Sequence, residues 1–290
     1  MISFEAPWLP AAAAAALFGL GAVACKPLTA VVDPTLLAGL LYLGAGGGLA
    51  LVLAARGRAS AGLALERRDA PWLAGAVLAG GVAAPVLLLM GLQRGTASSA
   101  SLLLNLEAPF TALLAWSVFG ERASPRLAAG IALTAGGAAW LSWPGHGAAS
   151  GGDWRGGALL AAACLAWGLD NNLSQRVSAK DPVTVSAVKG LVAGAVNTAL
   201  ALALGARLPG AGPLAAAAAV GFLSYGVSLA LFMLSLRRIG SARTSLYFAV
   251  APFFGALAGL VLLRETPTLT LGGAAVLMAA GSLLGREPAG

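Results

Sequence analysis

The sequence predicts an all-α polytopic membrane protein, ten transmembrane helices formed by two inverted five-helix repeats. Three observations carry that expectation. The 290-residue chain is 59% hydrophobic and only 10% charged, with a mean hydropathy of +0.86, whereas about a quarter of a soluble domain is charged. Its charges gather in short clusters between Leu- and Ala-rich runs about 20 residues long, the length a helix needs to cross hydrocarbon and unlike the ten-residue alternation of a barrel. Segments of the first half also recur in the second.

The expected spans are 9–30, 34–55, 71–92, 97–118, 125–143, 155–175, 182–204, 214–235, 244–263 and 268–284. The first has no Lys or Arg before it and no clear cleavage site after it, so it reads as a retained helix. Val32-Asp33-Pro34 is the weakest break; without it the count falls by one and the termini part. The later breaks are charged or rich in Gly and Pro: Arg56 to Asp69, Gln93-Arg94-Gly95, Glu121 to Pro125, Pro144 to Asp153, Lys180-Asp181-Pro182, Gly205 to Pro213, Arg237 to Arg243, and Arg264 to Pro267.

The alternate loops and the termini divide the basic residues unequally. One side carries Arg56, Arg58, Arg67, Arg68, Arg122, Arg126, Arg176, Lys180, Arg237, Arg238, Arg243 and Arg286; the other carries Lys26, Arg94, Arg155, Arg207 and Arg264. Short loops obey the positive-inside rule, so both termini are expected in the cytoplasm of a bacterial inner (plasma) membrane. The net charge of +7 is thereby explained by orientation against an anionic leaflet, not by nucleic acid. Cys25 and Cys164 lie in apolar helical sequence without CxxC or histidine spacing and read as small buried residues.

The repeat is legible by eye. SLLLNLEAPFTALLAWSVFGER from Ser101 answers TSLYFAVAPFFGALAGLVLLRET from Thr244, aligning Ala108-Pro109 with Ala251-Pro252 and, after a one-residue slip, Glu121 with Glu265. Phe18-Gly19 and Asp33-Pro34 are answered by Trp167-Gly168 and Asp181-Pro182. These divide the chain into 1–144 and 145–290. Five spans per half make equivalent helices cross in opposite senses, as in many secondary transporters, although duplication in a protein that merely packs in the bilayer gives the same pattern.

Polar groups deep in spans are costly, about 2.5 to 3.5 kcal/mol for an unpaired charge on insertion scales, and mark function or pairing. Glu107 lies mid-span beside Asn105, with Pro109 expected to loosen the helix next to it. It can bind a substrate ammonium, carry a coupling proton, or neutralise a polar network. Span 6 carries Trp167, Asp170, Asn171 and Asn172; span 7 carries Lys189. At a rise of about 1.5 Å per residue, Asp170 and Lys189 lie roughly 9 and 10 Å from the same membrane face, so they are expected to pair, the alternative being separate snorkelling. Tyr225 and Tyr247, with Asn197, Ser224, Thr244 and Ser245, either face a cavity or bond between helices. Pro85, Pro109 and Pro252 are hinge candidates, and Gly190 and Gly194 with the pairs Gly44/Gly48 and Gly255/Gly259 permit close packing. Trp116, Trp140, Trp143 and Trp154 suit an interfacial belt.

Over nearly its whole length the chain resembles the EamA branch of the drug/metabolite transporter superfamily, through SSASLLLNLEAPFTALLAWSVFGER (from Ser98) and TSLYFAVAPFFGALAGLVLLRE (from Thr244), each followed by a Gly-rich helix. The resemblance implies two EamA repeats, a permease or exporter of amino acids, other metabolites or drugs, and a central cavity lined by spans 1, 3, 4, 6, 8 and 9. Glu107 and Asp170 then lie near the route and Lys189 beside it. Glu107 and the Asp-Asn-Asn run are not general signatures of the branch. No GxxxxGK[ST] motif is present, so ion- or proton-coupled transport or facilitated diffusion is expected, without a cofactor. An enzyme is not expected, because the one histidine, His146, lies in a Gly- and Pro-rich loop. The expected function is export of amino acids or related zwitterions by alternating access, with cationic drugs, other metabolites or a non-transporting sensor as alternatives. The partners are a small-molecule substrate, protons as an optional coupling ion and the bilayer, with the chain a monomer or homodimer.

Overall fold

A computed structural model describes residues 7–56, 65–118, 124–143, 154–177 and 180–285. Arg58, Glu121, Arg122, His146, Asp153, Arg286 and the boundary at 144/145 lie outside them. The helices are α1 (Leu9–Leu28), α2 (Pro34–Arg56), α3 (Arg67–Gln93), α4 (97–117), α5 (Pro125–Ser142), α6 (Trp154–Gln175), α7 (Pro182–Ala203), α8 (211–248), α9 (Ala251–Leu262) and α10 (Leu269–Leu284). No β-strand forms among the described residues. Five helices are long and apolar enough to cross a membrane: α1, α2, α3, α7 and Ala211–Phe232 within α8. The 22-residue α6 is as long, but Asp170, Asn171 and Asn172 make it more polar. Leu51, Leu78, Trp116, Leu257 and Val276 are exposed on the bundle's outside, which suits lipid and not water.

Helix starts follow local chemistry. The side chains of Thr96, Ser124, Asp181 and Thr268 accept the backbone N–H groups of Ser99, Leu127, Thr184 and Leu271, satisfying first-turn donors that lack helical partners. Leu36 N–H reaches Asp33 Oδ1 in the same way at 3.1 Å, so the weakest sequence break is a real turn. Arg264, at φ 53°, ends α9 in the left-handed region, and Glu265 N–H returns to Gly259 O at 3.4 Å.

One expected break is absent. Arg237 to Arg243 was expected to form a charged loop, yet the backbone is helical throughout Ser228–Phe248. The reversal is still present: the rings of Phe232 and Phe248 lie 4.9 Å apart, whereas a straight helix would separate sixteen residues by about 24 Å. Helical geometry therefore bends back within α8 instead of giving way to a loop.

Packing follows a pseudo-two-fold relation in which each helix of the first half matches the fifth helix after it. α2 packs on α7, α4 on α9 and α5 on α10, while α3 on α6 is matched by α8 on α1, and α4 on α6 by α9 on α1. The pairs α2/α7 and α5/α10 are antiparallel: Gly39 meets Thr198 where Gly46 meets Gly190, and Gly130 meets Gly285 where Gly137 meets Ala274. The expected close-packing glycines take part, Gly190 against Gly46 and Gly194 against Leu43, and a methyl group at either position would collide with backbone.

Trp8 stacks on Tyr247 ahead of α9 at 6.2 Å, and α10 returns alongside, so the described chain begins and ends on one face, the terminal face. The opposite, distal half is the packed half. Val23, Leu36, Leu41, Leu88, Leu92, Leu102, Ala138, Leu160 and Leu271 form one buried apolar cluster there, while in the terminal half a small cluster of Leu49, Val183 and Ala187 joins α2 to α7.

Candidate functional site

The site grows out of a helix irregularity. Pro85 has no N–H, and the preceding residues Val77–Ala83 take a π-helical register in which Ala84 N–H bonds Ala79 O. The carbonyl of Gly80 thereby loses its helical donor, since its remaining π partner would be Pro85 itself. Tyr42 Oη donates to it at 2.8 Å and Trp167 Nε1 at 3.0 Å. Gly81, four residues before Pro85, is served by Asn197 Nδ2 at 3.0 Å. A seven-residue π segment occurs at the matching place in the second half, Gly221–Val227; no proline follows it closely, and nothing in the structure explains its register.

Asp170 of α6 lies directly over Gly80, where a side chain would collide with the carboxylate. It forms an ion pair with Lys189 of α7 and accepts Ser174 Oγ at 2.8 Å; Lys189 Nζ also reaches Ser174 Oγ at 3.2 Å. Glu107 has a different environment. Its Oε1 accepts Asn171 Nδ2 at 2.9 Å, a neutral donor, and no basic side chain pairs with it among the described residues. Asn171 Nδ2 is also 3.1 Å from Thr111 Oγ1, which donates to Glu107 O at 2.8 Å. The three-residue 3₁₀ turn Leu104–Leu106 precedes Glu107; Pro109 leaves the Asn105 carbonyl without its α-helical donor at that point.

These groups surround a cavity of about 310 Å³ that also touches Phe18, Ser186, Gly190, Ser224, Tyr225, Phe232 and Phe248. Its walls differ in chemistry: α4, α6 and α7 supply Glu107, Asp170, Asn171 and Lys189, and α1 and α8 supply Phe18, Tyr225, Phe232 and Phe248. Phe18 meets Tyr225 edge-on at 6.0 Å, and Tyr42 lies 5.9 Å from Tyr225. Two carboxyl groups and one ammonium thus share a pocket faced by aromatic rings, and with Glu107 ionised that combination suits an organic cation.

Not every expected residue belongs here. Asn172 Nδ2 instead ties α6 to α4 through Thr111 O at 3.0 Å and to its own helix through Gly168 O at 2.8 Å. Tyr247 lies against Trp8 and lines neither large cavity. Asn105 bonds Leu102 O at 2.9 Å and, with Pro109 and Pro252, lines a neighbouring cavity of about 780 Å³. Tyr42, Ser174, Phe232 and Phe248 were not singled out as site residues by sequence. Tyr42 is one of three tyrosines and sits mid-helix, a usable signal; the two phenylalanines meet only because α8 reverses.

On the distal face, Glu265 after α9 accepts Ala97 N–H at 2.7 Å, Ser98 N–H at 2.9 Å and the Ser98 hydroxyl, placing a carboxylate on the positive end of α4. Lys26 donates to Leu92 O at 2.6 Å and Gly95 O at 2.5 Å. Toward the terminal face Lys180 joins Glu66 at 2.7 Å and Asp69 at 3.2 Å, connecting the approaches to α3 and α7. The Lys180 hydrogen bond, then the Arg68 charge, holds Glu66 below the usual carboxylate range, and the Glu66 bond raises Lys180.

Comparison with known proteins agrees with this two-part architecture, for the model of the EamA-like transporter family matches residues 7–143 and again 154–285. The chain belongs to the EamA family. It is accordingly a multi-pass membrane protein of the drug/metabolite transporter superfamily. A relative named an uncharacterized transporter, from Methanothermobacter thermautotrophicus, is 33% identical over 226 residues, 75% of this chain and 64% of the relative; the chain thus spans just under two thirds of that protein's length. A crystal structure aligns over 98% of both chains at a TM-score of 0.67 and 21% identity, which is a likeness of fold.

Proposed function

We propose that this EamA chain is a ten-span secondary transporter moving small organic molecules that carry an ammonium group, amino acids and related zwitterions among them, by alternating access. The observation that carries the reading is Glu107: a carboxylate inside the bundle, facing a cavity, with one neutral side-chain hydrogen-bond donor and no cationic partner among the described residues. A charge in that position is expensive unless a ligand or proton meets it. Lys189 spends donors on Asp170 and Ser174, and its third N–H is available to a substrate carboxylate. The site lies in the terminal half while the distal half is packed. With the termini in the cytoplasm of a bacterial inner membrane, as the basic loops indicate, this is the loading state of an exporter.

Counterflow in proteoliposomes, across amino acids, organic cations and sugar phosphates, tests the reading. Uptake of ammonium-bearing compounds that E107Q reduces at least tenfold is expected; equal counterflow of sugar phosphates or no effect of E107Q would sink it. Proton carriage by Glu107 is separable, since E107Q transport still driven by a pH gradient excludes it.

A further inference from the structure

The 310 Å³ cavity does not stand alone. Phe18, Glu107, Asn171, Phe232 and Phe248 line both it and the 780 Å³ cavity, so the unpaired carboxylate sits at a junction between two chambers. The larger chamber is bounded by Ala112 of α4, Ile131 of α5, Pro252 at the start of α9 and Gly285 after α10. Three of its polar side chains are turned onto backbone: Asn105 donates to Leu102 O, Thr111 to Glu107 O and Thr134 to Gly130 O. Beyond Glu107 its lining carries no charged side chain, and most of the lining residues are Ala, Leu, Ile, Phe, Pro and Gly. It has the size of a pocket for a drug-sized molecule and the surface of one for hydrocarbon. Its place also fits: α5 and α10 pack chiefly on each other, and their terminal-side residues Leu127, Gly130 and Gly281 line it.

We propose that the paired chambers bind a single-chain cationic amphiphile, with its ammonium at Glu107 against Phe18, Phe232 and Phe248 and its alkyl tail in the larger chamber. This rests on the ammonium-binding reading of Glu107 and adds the second half of the ligand. The aromatic rings at the junction favour the head by cation–π attraction. Lys189, committed to Asp170, does not oppose it.

The test is a chain-length ladder. Tetramethylammonium and alkyltrimethylammonium ions from butyl to dodecyl are titrated against the protein in nanodiscs, with protein-free discs subtracted. Affinity referred to aqueous ligand is expected to rise about fourfold per methylene until the chamber is full and then to level. A112F and I131W, two independent fillings of the chamber, each lower the chain length at which it levels, with the loss confined to the long chains; E107Q weakens every rung. A flat ladder, or one unchanged in both filled variants, overturns the tail chamber, as does a copurifying phospholipid that the long chains fail to displace, which assigns the chamber to a bilayer acyl chain. Tetramethylammonium binding that ignores E107Q overturns instead the reading of Glu107 on which the proposal rests.

Discussion

Asp170 and Lys189 have no tolerable life apart. With relative side-chain exposures of 10% and 17%, each is the other's only charged partner among the described residues, and removing one strands the other, which typically costs about 3 to 5 kcal/mol. D170N and K189M are each expected to lower the melting temperature and folded yield, with the double variant recovering much of the loss; strictly additive losses in thermal melts would mean the pair is not coupled. Their common depth could be read from sequence because two adjacent helices on one short turn fix axial distance by rise alone. Rotation about the axes is another matter. That Asp170 would lie over Gly80, or that Glu107 would find Asn171 and no cation, depends on how three helices face one another, which no spacing in one chain encodes. Lys180 and Glu66, outside the spans, give a prediction in pH. Glu66 is held low, so its contribution is present above the unfolded carboxylate range and lost as pH falls through its folded value; Lys180 is raised, so its contribution is full below the unfolded lysine range and lost as pH rises through its folded value. The link therefore holds across neutral pH. The pH dependence of melting in K180M should differ from the parent mainly at the two extremes, and parallel curves throughout would sink the assignment.

At the scale of elements, Pro85 acts less as a kink than as a source of free carbonyls. The sequence marked it as a hinge, but the π register of Val77–Ala83 and the donors that claim Gly80 and Gly81 come from α2, α6 and α7, so the consequence is tertiary. P85A supplies an N–H four residues after Gly81 and invites ordinary α-helix. If the freed carbonyls organise the site, P85A should retain most of its folded yield yet lose about tenfold in substrate affinity, one hydrogen bond's worth at roughly 1.4 kcal/mol; unchanged binding would make the π segment a packing feature alone. The same contrast between local and tertiary causes explains α8. The Arg237 to Arg243 cluster correctly announced a reversal, since arginines there belong at a membrane face, but local backbone preference kept it helical. Elements whose ends carry their own chemistry, such as the capped starts at Thr96, Asp181 and Thr268, fell close to their expected places.

For the whole molecule the decisive asymmetry is between a packed distal half and a terminal half that holds both chambers. Equivalent helices run in opposite senses, so an exchange of conformations between the halves would loosen the distal packing and tighten the terminal side. What opposes that exchange on the distal face is local and polar. Glu265 grips the start of α4 through two backbone N–H groups and the Ser98 hydroxyl, beside Lys26 on the carbonyls that end α3. Hydrogen bonds to a charged group contribute about 1.5 to 3 kcal/mol each, and an equilibrium between two global states moves tenfold for each 1.4 kcal/mol of difference between them. E265Q keeps the shape but exchanges the carboxylate for a neutral amide with one acceptor oxygen. It should therefore raise the distal-open population about tenfold or more. Ala100, fully buried in the distal cluster, reports that population when replaced by cysteine, because the native Cys25 and Cys164 are buried and can be exchanged for alanine beforehand. In right-side-out vesicles, with the termini cytoplasmic as proposed above, an impermeant maleimide should label A100C slowly in the parent and at least tenfold faster with E265Q. A saturating ligand that prefers the terminal-open state should reverse the gain. Equal rates in both backgrounds would show that the Glu265 grip is decoration on a closure held by apolar packing.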